Sequence, residues 1–141
     1  EMLDLAKASA IDISETDKFK LESRKMQFIA SRLLVKGLGL KVDNLVYNSL
    51  GKPYFLDVKK GISFSHSGDY VACIVADVEV GVDIQVYNPK LENIRTRFLS
   101  EVENKEISSL EKLHAYWCAK EALFKLYAKG NVEFKTVNTT I

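Results

Sequence analysis

The chain has 141 residues, 47% of them hydrophobic, with twenty basic residues against nineteen acidic ones and a formal net charge of +1. That is enough apolar material for a core in one domain, which excludes a disordered chain, and the charge balance gives no global footprint for nucleic acid. The longest purely apolar run, VACIVA, is too short to span a bilayer, no signal peptide is read, and Cys73 and Cys118 form neither a metal-ligand spacing nor a disulfide framework, so a reducing cytoplasmic setting with no membrane role is expected.

Ser14-Glu15-Thr16-Asp17 has the form of a helix start, with a capping hydroxyl and a carboxylate three residues later. Phe19, Met26, Ile29, Ala30, Leu33 and Leu34 recur at helical spacing, and Gly37 and Gly39 end the pattern. Short strands follow at Asn44 to Tyr47 and Tyr54 to Leu56, separated by a turn-like stretch. Gly61 to His66 alternates in residue type and Ser67-Gly68-Asp69 turns the chain. Tyr70 to Ala76 and Val80 to Val86 read as buried strands, and their three-residue link predicts an antiparallel hairpin between them. Short helices are predicted at Leu91 to Phe98 and around Ser100 to Ile107. Ser108 or Ser109 caps a long helix to about Lys129, closed by Gly130, and Val132 to Val137 forms a last strand. Helices packed on a mainly antiparallel sheet give an α+β class.

Polar residues in apolar surroundings are where function is sought. In Val80-Gly81-Val82-Asp83-Ile84-Gln85-Val86, Asp83 and Gln85 share one strand face. Either that face meets water, or Asp83 is buried and needs a hydrogen-bond network, a basic residue or a metal. In WCAKEALFK, Trp117, Glu121 and Lys125 lie on roughly one helix face, while Lys120 is rotated away from Glu121 by about 100°. Leu113, Trp117, Phe124 and Ala128 supply the buried stripe. A Glu121–Lys125 surface pair worth about 0.3–0.5 kcal/mol is the plain alternative. His66 lies between Ser65 and Ser67, which suggests a serine hydrolase. Neighbours on a strand point to opposite sides, however, so they form no nucleophile–base pair, and His114 is the only other histidine.

The order of the pieces is more specific than any one of them: GKPYF, FSHSGDYVACIVA, VGVDIQ, then WCAKEALFK. In this order the chain resembles the 4'-phosphopantetheinyl transferase superfamily, in its Sfp-type branch, over about Arg24 to Lys125. The resemblance implies a Mg²⁺-dependent holo-acyl-carrier-protein synthase activity. The 4'-phosphopantetheine arm of coenzyme A passes to a serine of an acyl or peptidyl carrier protein, and adenosine 3',5'-bisphosphate is released. It implies Asp83 and Glu121 as metal ligands, with Gln85, where the commonest pattern has Glu, as a third metal contact through its carbonyl oxygen, directly or through water. It implies Lys125 at the phosphates and leaving group, Lys120 also facing phosphate, and Glu121 as the base for the carrier serine. His66 would contact the phosphates of coenzyme A, and Lys52 with Arg24 or Arg32 its 3'-phosphate end. Trp117 is expected to pack the helix against the sheet.

The implied fold is a pseudo-duplicated α+β domain with long helices, subdomains at about 1–90 and 91–141, and a shortened second half. A compact or truncated member, or an oligomer that completes the site, both fit that length. A non-catalytic module that binds coenzyme A or a carrier is the competing function.

Overall fold

The structure, a computed structural model, describes residues 1–127 and 133–140. A short helix, α1 (Met2–Ala8), precedes the predicted long one. The Ser14–Asp17 signature makes a 3-10 turn instead of starting that helix. Asp12 Oδ1 accepts from the Ser14 amide at 2.8 Å, and the chain leaves helical dihedrals at Phe19 (φ −94°, ψ 125°). The long helix α2 therefore begins at Glu22 and runs to Gly37. Gly39 follows at φ +76°, a left-handed conformation that suits glycine and ends the helix where the sequence placed its end.

Among the described residues four strands follow. β1 (Leu45–Tyr47) and β2 (Pro53–Phe55) pair antiparallel around a turn in which Asn48 Oδ1 accepts from the Leu50 and Lys52 amides, both at 2.9 Å. β3 (Gly61–Ser67) and β4 (Tyr70–Ala76) form a second hairpin, in register from Gly61 opposite Ala76 to Ser67 opposite Tyr70. The class is α+β, with two small antiparallel sheets among helices.

The predicted pairing of Tyr70–Ala76 with Val80–Val86 is corrected. β4 pairs with β3, and residues 81–88 form no regular element. The cause lies in β3. Its alternate side chains Ser63, Ser65 and Ser67 accept the amides of Val82, Ile84 and Val86 at 3.1, 3.2 and 2.9 Å. Hydroxyls thus satisfy the backbone donors that a neighbouring strand would otherwise take.

The carboxy-terminal part is helical. A 3-10 turn (Pro89–Ile94) leads into α3 (Arg95–Phe98) and α4 (Glu101–Glu106), the latter with a Ser100–Glu103 capping box. The helix α5 runs Leu110–Tyr127, and Ser109 Oγ accepts from the Lys112 amide at 3.2 Å. The predicted closure at Lys129–Gly130, Ala128 of the apolar stripe and the start of the last strand at Val132 lie outside the described residues. Phe134–Thr136 is a 3-10 turn, not strand.

Among the described residues three apolar clusters hold these parts together. Ala6, Ile11 and Ile29 join α1 to α2, and Val35, Leu45, Phe55 and Ile62 join α2 to the strands. Leu91, Phe98, Leu99, Leu113 and Tyr116 form the third. Trp117 belongs to this last cluster, edge-on to Phe98 at 4.9 Å and stacked on Phe134 at 6.1 Å. It packs α5 against α3 and the terminal segment, not against a sheet.

Candidate active site

Gly81 brings that segment to α5. A Cβ at this position would overlap the Ala122 carbonyl oxygen, so only a residue without one lets the backbone pass so close. Asp83 follows two residues later and meets α5 through Lys125. Lys125 Nζ lies 2.6 Å from Asp83 Oδ1, 3.0 Å from Ser65 Oγ and 3.0 Å from the Val82 carbonyl oxygen. The Asp83 side chain is 8% exposed and that of Lys125 28%. Ser65 Oγ also donates to Asp83 Oδ1 at 2.8 Å, whereas Oδ2 is buried with no hydrogen-bond partner among the described residues.

Glu121 stands one helical turn before Lys125 and is half-buried. Burial pushes its carboxyl above the ordinary value, the negative charge of Asp83 adds to the push, and Lys125 opposes it. The two carboxylates that the sequence paired thus act on each other across the gap between α5 and the 81–88 segment. Cys118, also on α5, belongs to the same neighbourhood: burial, then the charge and contact of Asp83, push its thiol up to about 12, so it stays protonated.

A cleft of about 480 Å³ opens beside this group, lined among others by Arg24, Arg32, Lys52, Ser65, His66 and Lys125. Arg24 Nη1 donates to His66 Nε2 at 2.7 Å. Burial and then the Arg24 cation hold His66 below its ordinary value, so the ring is neutral. Arg32 is 7% exposed, stacks its guanidinium 3.6 Å from the Phe28 ring, and donates to Ser31 Oγ and Tyr47 Oη. Lys52 pairs with Glu79 and donates to the Leu126 carbonyl at 3.0 Å. Residues from α2, the β1–β2 turn, β3 and α5 therefore converge on one cavity wall.

Two expected site residues are elsewhere. Lys120 does not face the cleft. It is 1% exposed, pairs with Glu103 at 2.9 Å and donates to the Phe134 and Val137 carbonyl oxygens at 2.8 and 2.6 Å. The expectation that it meets phosphate is corrected, since its ammonium is enclosed by its own partners. Gln85 is exposed and its amide donates to the Val86 carbonyl oxygen at 3.2 Å, turned along its own backbone. His114 is structural. Its Nε2 accepts from the Asn88 amide at 3.0 Å, its Nδ1 lies 2.8 Å from the Leu110 carbonyl oxygen, and its ring stacks on Tyr87. Ser65 is the participant that sequence reasoning passed over; the serines at every second position of β3 were the available signal.

The donor set suits a hard divalent cation. Asp83 Oδ2 has no partner among the described residues, and the ionised form of Glu121 is destabilised by burial and then by the charge of Asp83. A cation between them relieves both. Such a site would have two protein carboxylates at most, since among the described residues no group of three or more His, Cys, Asp or Glu side chains gathers to hold a metal. Two carboxylates match Mg²⁺, which keeps several waters and takes phosphate oxygens for the rest of its shell.

Comparison with known proteins gives the same direction. A family model described as the 4'-phosphopantetheinyl transferase superfamily matches residues 79–140, the stretch that holds both carboxylates and Lys125. A Haemophilus influenzae protein provisionally named a 4'-phosphopantetheinyl transferase is 34% identical over 101 residues, 62% of this chain and 41% of that protein. The transferase psf-1 of Bacillus pumilus is 29% identical over 83% of this chain and 55% of its own length. Sfp of Bacillus subtilis is 30% identical over 57% of this chain and 39% of its own length. The chain spans about half the length of the curated relatives it matches. Among the described residues no helix is long and apolar enough to cross a membrane.

Proposed function

The chain belongs to the 4'-phosphopantetheinyl transferase superfamily, and from that premise we propose that it transfers the 4'-phosphopantetheine arm of coenzyme A to a serine of an acyl or peptidyl carrier protein. The observation that carries the proposal is Lys125, which pairs with Asp83, stands one helical turn from Glu121 and lines a cleft together with His66, Lys52, Arg24 and Arg32.

In this reading the carrier serine hydroxyl attacks the phosphorus that bears the pantetheine arm. The bond from that phosphorus to the bridging oxygen breaks, and adenosine 3',5'-bisphosphate leaves. Mg²⁺ held by Asp83 and Glu121 supplies charge neutralisation at the diphosphate. Glu121 takes the proton from the serine hydroxyl, directly or through water. Lys125 turns from Asp83 to the bridging oxygen and stabilises the charge that develops there. His66 and Arg24, already in contact, receive a phosphate together, and Lys52 and Arg32 hold the 3'-phosphate end. Gln85 contributes at most through a water. No nucleic acid or membrane enters the reading, and the setting is cytoplasmic.

The reading takes residues 1–90 and 91–141 as two subdomains of one pseudo-duplicated domain. Separate apolar clusters on either side of residue 90 agree with that division. The test is mass spectrometry of an apo-carrier protein incubated with the chain, coenzyme A and Mg²⁺. The arm's mass is gained with the wild type and not with Asp83→Ala; no gain with acyl or peptidyl carriers overturns the reading.

One observation favours the competing reading, a module that binds coenzyme A without turnover. Lys125 has its three ammonium hydrogens directed to protein acceptors, and Gln85 turns away from the carboxylates. Calorimetry with coenzyme A and Mg²⁺ separates the two: binding without transfer, with transfer appearing in Gln85→Glu, selects the module.

A further inference from the structure

Ser63, Ser65 and Ser67 share one face of β3, and each accepts one backbone amide of the segment that carries Asp83. Ser65 makes further contacts. A hydroxyl offers one donor and two acceptor positions. Ser65 donates to Asp83 Oδ1 at 2.8 Å and accepts from the Ile84 amide at 3.2 Å and from Lys125 Nζ at 3.0 Å. The residue is 5% exposed, so water does not compete for these positions. Oδ1 of Asp83 is taken by Ser65 and Lys125 together, and Oδ2 is the oxygen left without a partner among the described residues.

We infer that Ser65 is a positioning residue: its hydroxyl fixes the rotation of the Asp83 carboxylate so that Oδ2 is presented to a divalent cation, and it holds the Lys125 ammonium beside that carboxylate. The metal half of this inference rests on the proposed Asp83–Glu121 site; the Lys125 half does not. Supporting hydrogen bonds to a ligating carboxylate are worth about 10–100-fold in metal affinity. The rotation matters because a carboxylate held by one oxygen offers the other in a defined direction, whereas one released from Ser65 turns both oxygens onto Lys125.

The three serines supply their own control. Ser63→Ala and Ser67→Ala each remove one amide acceptor, as Ser65→Ala does, but only Ser65→Ala also frees Asp83 and Lys125. Two readouts are compared across the set: Mn²⁺ affinity by electron paramagnetic resonance, and the rate of Lys125 acetylation in metal-free protein, read by peptide mass spectrometry. The expected result is about a tenfold loss of Mn²⁺ affinity and a several-fold faster labelling of Lys125 in Ser65→Ala, with both readouts within twofold of wild type in Ser63→Ala and Ser67→Ala. Equal effects in all three variants overturn the inference and leave Ser65 as a backbone anchor. Should wild type bind no Mn²⁺, the metal site itself fails, and labelling alone decides: faster only in Ser65→Ala sustains the Lys125 role, and equal rates remove it. Ser65→Cys, which keeps the side-chain volume, repeats the comparison if the alanine variant does not fold.

Discussion

Two lysines of α5 pair with carboxylates from other parts of the chain, and the two pairs behave as opposites. Lys120 and Glu103 are enclosed, with side chains 0% and 4% exposed. Lys120 gives its hydrogens to Glu103 and to two carbonyl oxygens. Glu103 accepts from the Ser100 amide at 2.7 Å and from the amide and hydroxyl of Thr139, both at 2.9 Å. Every oxygen and every ammonium hydrogen has a partner. Lys125 and Asp83 are as close, but one carboxylate oxygen has no partner among the described residues, the charge of Asp83 acts on a second carboxylate, Glu121, and the lysine is partly open to the cleft. A buried pair whose hydrogen-bonding capacity is used up ties elements together. One with capacity left over is ready to take a ligand, and the unmet part is a cost that the rest of the fold sustains.

That contrast has measurable consequences. Asp83→Ala is expected to lower the transfer rate by at least about a hundredfold while changing the unfolding midpoint little, since it removes an under-satisfied group; the transfer assay with chemical denaturation reads both. Lys120→Met should do the reverse. It strands a buried carboxylate and is expected to cost about 3–5 kcal/mol of stability, with transfer per folded molecule retained.

The pH dependences of the two regions also have opposite signs. Burial raises the Glu103 carboxyl, but Lys120, Ser100 and Thr139 outweigh it and bring the value down to about 2, from an ordinary 4.5. Its contribution to stability is therefore complete above 4.5 and is lost as the pH falls through about 2. Denaturation followed from pH 7 down through pH 2 should show this loss, and Glu103→Gln should remove it. Glu121 is displaced upward, so its contribution is complete below 4.5 and lost as the pH rises through its raised value. In metal-free protein at neutral pH, Glu121→Gln is expected to leave stability unchanged or slightly higher. The smallest effect belongs to Gln85→Glu, which adds a charge at an exposed position and should tighten Mn²⁺ binding a few-fold, read by the same resonance titration.

The sequence made one region of this comparison legible and hid the other. Asp83, Glu121 and Lys125 could be paired from motif order, and the fold brings them together. Lys120 was misread because its partner, Glu103, belongs to another helix, and no local spacing shows such a contact. Helix geometry carried a warning, since at about 100° per residue Lys120 and Lys125 lie roughly 140° apart. The strand expected at Val80–Val86 failed because apolar alternation reports burial, not what satisfies the backbone. The β3 serines take those amides, and Gly81 lets the segment run against α5. The α2 end at Gly37 and the α5 start after Ser109 were readable because caps and glycines act locally.

The decisive measurement is an anomalous-diffraction map of the chain crystallised with Mn²⁺ and coenzyme A. The account requires one peak bonded to oxygens of both Asp83 and Glu121 and to the coenzyme's diphosphate, with Lys125 moved onto the phosphates and Lys120 still on Glu103. A coenzyme bound in the cleft with no cation between the two carboxylates, or with Lys125 still on Asp83, contradicts it.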